Sequence, residues 1–234
     1  MLNFFKKKVV QENIDPQIQQ EKMKYLALQN QINPHFLYNT LENIRSEALI
    51  GDREIAAKMA ELLGSYFRYS ISNMDKLVKV EDEIESVHKY FAIQKFRFED
   101  RIEIYIEYDD HSINQLKMPK LILQPIVENS ILHGIEPSLK KGIINISLKL
   151  YDTHLLICVS DTGIGIDKSK LDDIQQKLSQ PSPNQFDESI GIINVNHRLK
   201  MLYGNDYGLK YFSKKTIGTD VEIKIPYENN NIAN

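Results

Sequence analysis

At Asp100 the apolar residues of this chain change their period, and that change constrains what it can fold into. Before it they recur three, four or seven apart, as Ile14, Ile18, Tyr25, Leu28 and Ile32, then Ile55, Met59, Leu62, Tyr66 and Tyr69, then Ile84, Val87, Phe91 and Phe98. That spacing lines one face of a helix. After it, Ile102, Ile104, Ile106 and Tyr108 alternate with polar residues, the pattern of a half-buried strand. A helical first part therefore precedes a part that contains a sheet.

In the first part, the seam from Ile14 to Ile32 suits a partner helix. Pro34 removes a backbone donor and predicts a bend just before His35. Gly51-Asp52 reads as a tight connection into a second helix, and a third is expected over about 82–98. Two helices with one narrow apolar stripe each make a hairpin that cannot bury its core alone. Dimerisation into a four-helix bundle is the economical arrangement.

In the second part, a helix is expected at about 119–133 with Pro119 at its first position, followed by strands at about 143–151 and 154–160. A helix near 167–178, a polar segment at 179–189, a helix at 191–203 and strands near 208–213 and 219–226 complete it. Strands with helices on one face make an α+β sandwich. The expected divisions are a linker-like segment 1–16, a helical hairpin 17–80, a connecting helix 81–100, the sandwich 101–227 and a tail 228–234.

Composition closes some options. With 29 basic and 32 acidic residues among 234, nothing suggests a nucleic-acid surface. The single cysteine, Cys158, cannot form an internal disulfide, and its apolar run Leu155–Val159 reads as a buried, inert thiol. No stretch approaches the roughly 20 apolar residues of a membrane helix. The opening Phe4-Phe5-Lys6-Lys7-Lys8 fits two readings, a solvated charged start or the cytoplasmic flank of a membrane segment.

Several residues have chemical rather than structural spacing. Asn129 falls mid-helix, where a side-chain amide has little structural purpose, and its oxygen could ligate Mg²⁺. Asp161 ends an apolar strand at a glycine turn, where it could accept an adenine amine while Gly163 and Gly165 let backbone approach a ligand. Gly191 precedes a helix, whose free N–H groups favour phosphate. Gly218-Thr219 could equally be an ordinary turn, and Asp-x-Gly-x-Gly alone is a weak signal. His35 is mostly neutral and nucleophilic near pH 7, although a lone helical histidine is more often a core residue.

Taken together, Glu128-Asn129, Asp161–Gly165, Gly191–Asn194 and Gly218-Thr219 resemble the asparagine box, two glycine boxes and last motif of the ATP-binding domain shared by sensor histidine kinases, gyrase-type ATPases and Hsp90. The segment Gln31-Ile32-Asn33-Pro34-His35-Phe36-Leu37-Tyr38-Asn39 resembles the phosphoacceptor box of histidine kinases of the LytS/YesM type. Arg97-Phe98, Leu123–Asn129 and Asn194-Val195-x-x-Arg198-Leu199 fit the same type. The resemblance covers about residues 18 to 226.

It implies ATP and Mg²⁺ as cofactors, Asn129 as metal ligand, and Asp161, Gly163, Gly165, Gly191, Asn194, Arg198, Gly218 and Thr219 as nucleotide contacts. His133, one turn beyond Asn129, would line the pocket or support that helix, and 179–189 would be the lid over ATP. His35 would accept the phosphoryl group and pass it to an aspartate of a response regulator. The implied assembly is a homodimer, the cytoplasmic part of a cell-membrane protein with an upstream transmembrane sensor region.

Two departures matter. ATPases of this fold that use water carry a Glu four residues before the asparagine; here Pro125 stands there, which favours a kinase. The commoner histidine kinases carry an acid directly after the acceptor; here it is Phe36, which leaves Glu128 or Glu42 as candidate bases. Asn39, one turn after His35, would position the water that dephosphorylates the regulator. An ATPase without a histidine acceptor and a non-catalytic nucleotide-binding scaffold stay open as alternatives.

Overall fold

The structure, a computed structural model, describes residues 34–72, 76–138, 140–179 and 190–227. The seam from Ile14 to Ile32, the bend expected before His35, the side chain of His35 itself, the expected lid beyond Ser179 and the tail lie outside the described residues. The described residues all belong to one compact unit.

Helices α1 (Pro34–Ile50) and α2 (Arg53–Ile71) make the expected hairpin. Asp52 closes the turn by accepting the Ile55 N–H at 3.0 Å, a side-chain cap on α2. Strand β1 (Leu77–Lys79) leads into α3 (Val80–Phe98). The first turn of α3 holds Glu81, Asp82 and Glu83 and its last turn Lys95 and Arg97, charges that oppose the helix dipole at both ends.

Strand β2 (Ile102–Tyr108) opens a five-stranded sheet that continues with β4 (Gly142–Leu150), β5 (His154–Asp161), β6 (Gly208–Lys214) and β7 (Gly218–Pro226). Its order is β2-β4-β5-β7-β6, with β2 and β4 parallel and the other pairs antiparallel. Ile144, Ile146 and Leu148 are buried, as are Leu155, Ile157 and Val159, and Val221, Ile223 and Ile225. Each set takes every second residue, so the sheet has one buried face. Helices α4 (Leu123–Asn129), α5 (Lys168–Ser179) and α6 (Ile190–Tyr203) complete the α+β sandwich.

Three local expectations differ. Pro119 does not start a helix; it ends β3 (Lys117–Pro119), which pairs antiparallel with β1. Proline is as compatible with the end of an edge strand as with a first helical turn, and the chain turns at Leu121, φ 55°, before α4 begins. The helix expected to run through to residue 133 gives way after Asn129 to a π-helical turn, Ser130–Ile135. Cys158 is half-exposed on the outer face of β5, 3.6 Å from Ser160 Oγ. Burial pushes its thiol up all the same, which keeps it protonated and inert.

The hairpin is not separate from the sandwich. One buried cluster runs from Phe36, Leu63 and Tyr66 through Tyr90 and Phe91 to the sheet. Phe36 lies 5.3 Å from the Tyr66 ring and 5.1 Å from that of Tyr90. Truncating Ile157, which is 0% exposed, to Ala should cost about 2–5 kcal/mol. Cys158→Ala, on the other face of the same strand, should cost under about 1 kcal/mol. Chemical denaturation of both variants checks the alternation.

Candidate active site

A cavity of about 460 Å³ opens between α4, the π-helical turn, the end of β5, α5 and the β6–β7 pair. Asn129, His133, Asp161, Gly165 and Thr219 line it, and so do Ser130, Gly134, Lys170 and Tyr211, which the sequence reading had not singled out.

Asn129 is the last residue of α4. Its amide nitrogen donates to the Pro125 carbonyl at 2.7 Å. A carbonyl can only accept, so the side-chain oxygen is the end left for the cavity. Pro125 fits because it lies in the first turn of α4, where a backbone donor has no helical partner to lose. Magnesium favours such an oxygen, completed by water and phosphate. Among the described residues no three of His, Cys, Asp and Glu group to hold a metal, so any cation here would depend on the ligand's own oxygens.

Asp161 is buried at the cavity floor, opposite Thr219 in the β5–β7 register. Burial pushes its carboxyl above the ordinary value, and hydrogen bonds from Gly163 N–H (2.9 Å), the Ser130 hydroxyl and the Thr219 backbone oppose that. Tyr211 stands beside it. Its hydroxyl finds no hydrogen-bond partner among the described residues, and burial with the nearby Asp161 pushes the phenol up. The Thr219 hydroxyl pairs with Ser213 Oγ at 2.9 Å.

The glycines mostly serve packing. A Cβ on Gly163 would stand 2.3 Å from the Gly134 carbonyl, and one on Gly134 would stand 2.9 Å from Asp161 Oδ1. The Gly134 carbonyl in turn accepts the Ile164 N–H at 2.8 Å. Asp161 and Asn129 therefore share a cavity because two bare backbones touch. A Cβ on Gly218 would meet the Asp161 carbonyl at 1.9 Å, so this pair is more than an ordinary turn. Gly134 directly follows the helix expected over 119–133, where a glycine reads as an ordinary helix end, so its packing role had no separate signal in the sequence.

Other expected contacts stand apart. Gly191 and Asn194 are exposed at the start of α6 and do not border the described cavity. Arg198 also lies off it; its guanidinium donates to the carbonyls of Lys120 and, at 3.3 Å, of Leu121. It braces the turn before α4.

Glu128 is turned away from the cavity. It accepts hydrogen bonds from the Tyr66 hydroxyl and the Gln124 amide, each at 2.8 Å, and burial pushes its carboxyl up. Glu42 is exposed and ion-paired with Arg45, which holds its carboxyl below the ordinary value. Asn39 is half-buried in a crevice it shares with Phe36, Gln94 and Leu132, the residue before His133.

The mixed sheet with its asparagine helix and buried aspartate defines an ATP-binding domain. The family "Histidine kinase-, DNA gyrase B-, and HSP90-like ATPase" matches residues 114–229, and the family "Histidine kinase" matches residues 23–102. Between them the two matches take in most of the sequence, and the chain belongs to the histidine kinase family. It is 35% identical over 221 residues to sensor histidine kinase YesM of Bacillus subtilis, covering 94% of this chain and 36% of that protein. It is 33% identical over 213 residues to sensor histidine kinase YpdA of Escherichia coli (91% and 36%). Identity to sensor protein kinase HptS of Staphylococcus aureus is 31% over 206 residues (88% and 38%). The chain thus spans little more than a third of the length of these relatives. Among the described residues no helix is long and apolar enough to cross a membrane.

Gly134→Ala should displace Asp161 and lower stability by about 1–3 kcal/mol. Among the described residues Gly191→Ala has only Pro125 Cβ near its new methyl, at 3.8 Å, and should be tolerated. Thermal melts of the two variants separate a packing glycine from an open one.

Proposed function

We propose that this chain is the catalytic core of a protein-histidine kinase that phosphorylates His35 from ATP and passes the phosphoryl group to a response-regulator aspartate. The observation that carries the reading is the docking of the hairpin against the helix that ends in Asn129, on the face of that helix opposite the cavity. Phe36, next to His35, packs on Tyr66, and the Tyr66 hydroxyl bonds Glu128, the neighbour of Asn129.

In this reading Asp161 accepts the exocyclic amine of adenine, while Thr219 and the Gly163–Gly165 and Gly218 turns shape that end of the cavity. His133 borders its mouth. Gly191, Asn194 and Arg198 act from α6, Arg198 through the turn it braces. Asn129 would hold Mg²⁺, which when bound neutralises charge on the phosphates. His35 Nε2 forms the bond to the γ-phosphorus as the bond to the β–γ bridging oxygen breaks, and ADP leaves. The proton from His35 passes to a base. Glu128, whose burial raises its proton affinity, suits that role better than the ion-paired Glu42. Asn39, one turn along α1 from His35, would place the water for regulator dephosphorylation.

Homodimerisation is supported by apolar residues that α1 leaves in solvent, among them Tyr38 (71% exposed), Leu41, Leu49 and Ile50 (74%). A second hairpin would cover them. An upstream sensor region in a membrane, with this chain on the cytoplasmic side, fits the greater length of the relatives.

Incubation with γ-labelled ATP and Mg²⁺ should give an acid-labile, alkali-stable phosphoprotein. The label should vanish in His35→Gln, and Asn39→Ala should keep it normal while slowing loss of phosphate from the regulator. Steady ATP turnover with no phosphoprotein would point to a simple ATPase, and no label on any variant to a non-catalytic scaffold.

A further inference from the structure

Glu83 is, with Lys120, one of the two most deeply buried charges among the described residues. It lies in the first turn of α3 and is 1% exposed. A carboxylate that deep is costly unless its oxygens are fully bonded, and this one receives four donors. Leu121 N–H donates at 2.6 Å, Ile122 N–H at 2.9 Å, Leu123 N–H at 3.1 Å and the Tyr69 hydroxyl at 2.5 Å.

Two of these amides, Ile122 and Leu123, are among those a helix start leaves unpaired, and Leu121 lies in the turn just before it. The residue that precedes α4 is Ile122, which has no side-chain cap to offer. The preceding Leu121 has φ 55°, a region that a leucine enters only when its surroundings compel it. Arg198 holds the carbonyl side of the same turn, and Lys120 donates to the Ser72 carbonyl and hydroxyl at 2.9 and 2.6 Å and to the Tyr69 carbonyl, at the end of α2.

Helix α4 is seven residues long. Where its first turn is set, Asn129 at its other end is set too. Tyr69 belongs to α2, the hairpin partner of the helix that carries His35. One carboxylate thus grips the start of the asparagine helix and the acceptor hairpin at once.

We propose that Glu83 is a positioning residue for phosphoryl transfer, acting through α4 on Asn129 and through Tyr69 on the hairpin. The transfer itself rests on the function proposed above; the effect on nucleotide binding does not require a phosphorylated product. Two arms of one carboxylate predict two separable defects.

The test uses the whole chain and a fluorescent ADP analogue, titrated with and without Mg²⁺. Glu83→Gln should bind the Mg²⁺-free analogue as the wild type does but lose about 10-fold of the tightening that Mg²⁺ brings, the scale seen when support of a metal ligand is removed. Tyr69→Phe keeps the three amide bonds, so its Mg²⁺-dependent tightening should stay at the wild-type level. Its His35 labelling should slow about 10-fold or more, because only the alignment of the hairpin is lost. A folded Glu83→Gln with undiminished tightening overturns the proposal. If Glu83→Gln does not fold, Tyr69→Phe decides, and a wild-type labelling rate overturns it. A wild-type protein that binds the analogue but labels no histidine sinks the kinase reading alone, and leaves the Glu83 effect on Mg²⁺ to be read directly.

Discussion

Neighbouring residues on an α-helix point about 100° apart, and α4 uses that angle to face two ways. Asn129 presents its oxygen to the cavity. Glu128, one residue earlier, faces the hairpin and is held by Tyr66 and Gln124. Gln124 is itself fixed by Ser86 of α3, its carbonyl accepting that hydroxyl at 3.2 Å. Helix α3 then secures both ends of the segment. Glu83 grips its start, and Arg97 pairs with Glu136 just beyond the π-helical turn. Moving α4 would disturb the cavity, the hairpin contact or both.

The contact between hairpin and sandwich combines aromatic packing with a few polar bonds. Individual hydrogen bonds of this kind contribute about 1 kcal/mol net. The burial of Phe36, Leu63 and Tyr66 in the shared cluster adds to them. On the function proposed above, His35 would meet two partners in turn, the nucleotide and the regulator. The exposed apolar residues of α1 lie on the same hairpin and leave room for a second copy.

Much of this was legible in the sequence because periodicity reports burial. The switch at Ile102 located the sheet, and the buried sets in β4, β5 and β7 follow the alternation. Asn129, Asp161, Gly165 and Thr219 were recognisable because their motifs occur in a fixed order, and the fold brings them to one cavity. What was missed depends on contacts distant in sequence. Nothing near Glu83 announces that it meets amides almost forty residues later (Glu83 to Leu121–Leu123). Gly134 matters only because Gly163 touches it. Arg198 follows the motif, yet its guanidinium is drawn to carbonyls orphaned at the turn before α4. Pro119 and Cys158 went astray for a simpler reason: a proline can end a strand as well as start a helix, and an apolar run can still have an outer face.

The joint between hairpin and nucleotide helix is tested most directly by a double-mutant cycle on Tyr66 and Glu128. Tyr66→Phe, Glu128→Gln and the double variant would be unfolded in denaturant beside the wild type. A coupling of about 1–3 kcal/mol is expected for a direct bond between a phenol and a buried carboxylate. A coupling below about 0.3 kcal/mol, the additivity of independent sites, would contradict a hairpin held on α4 through this pair.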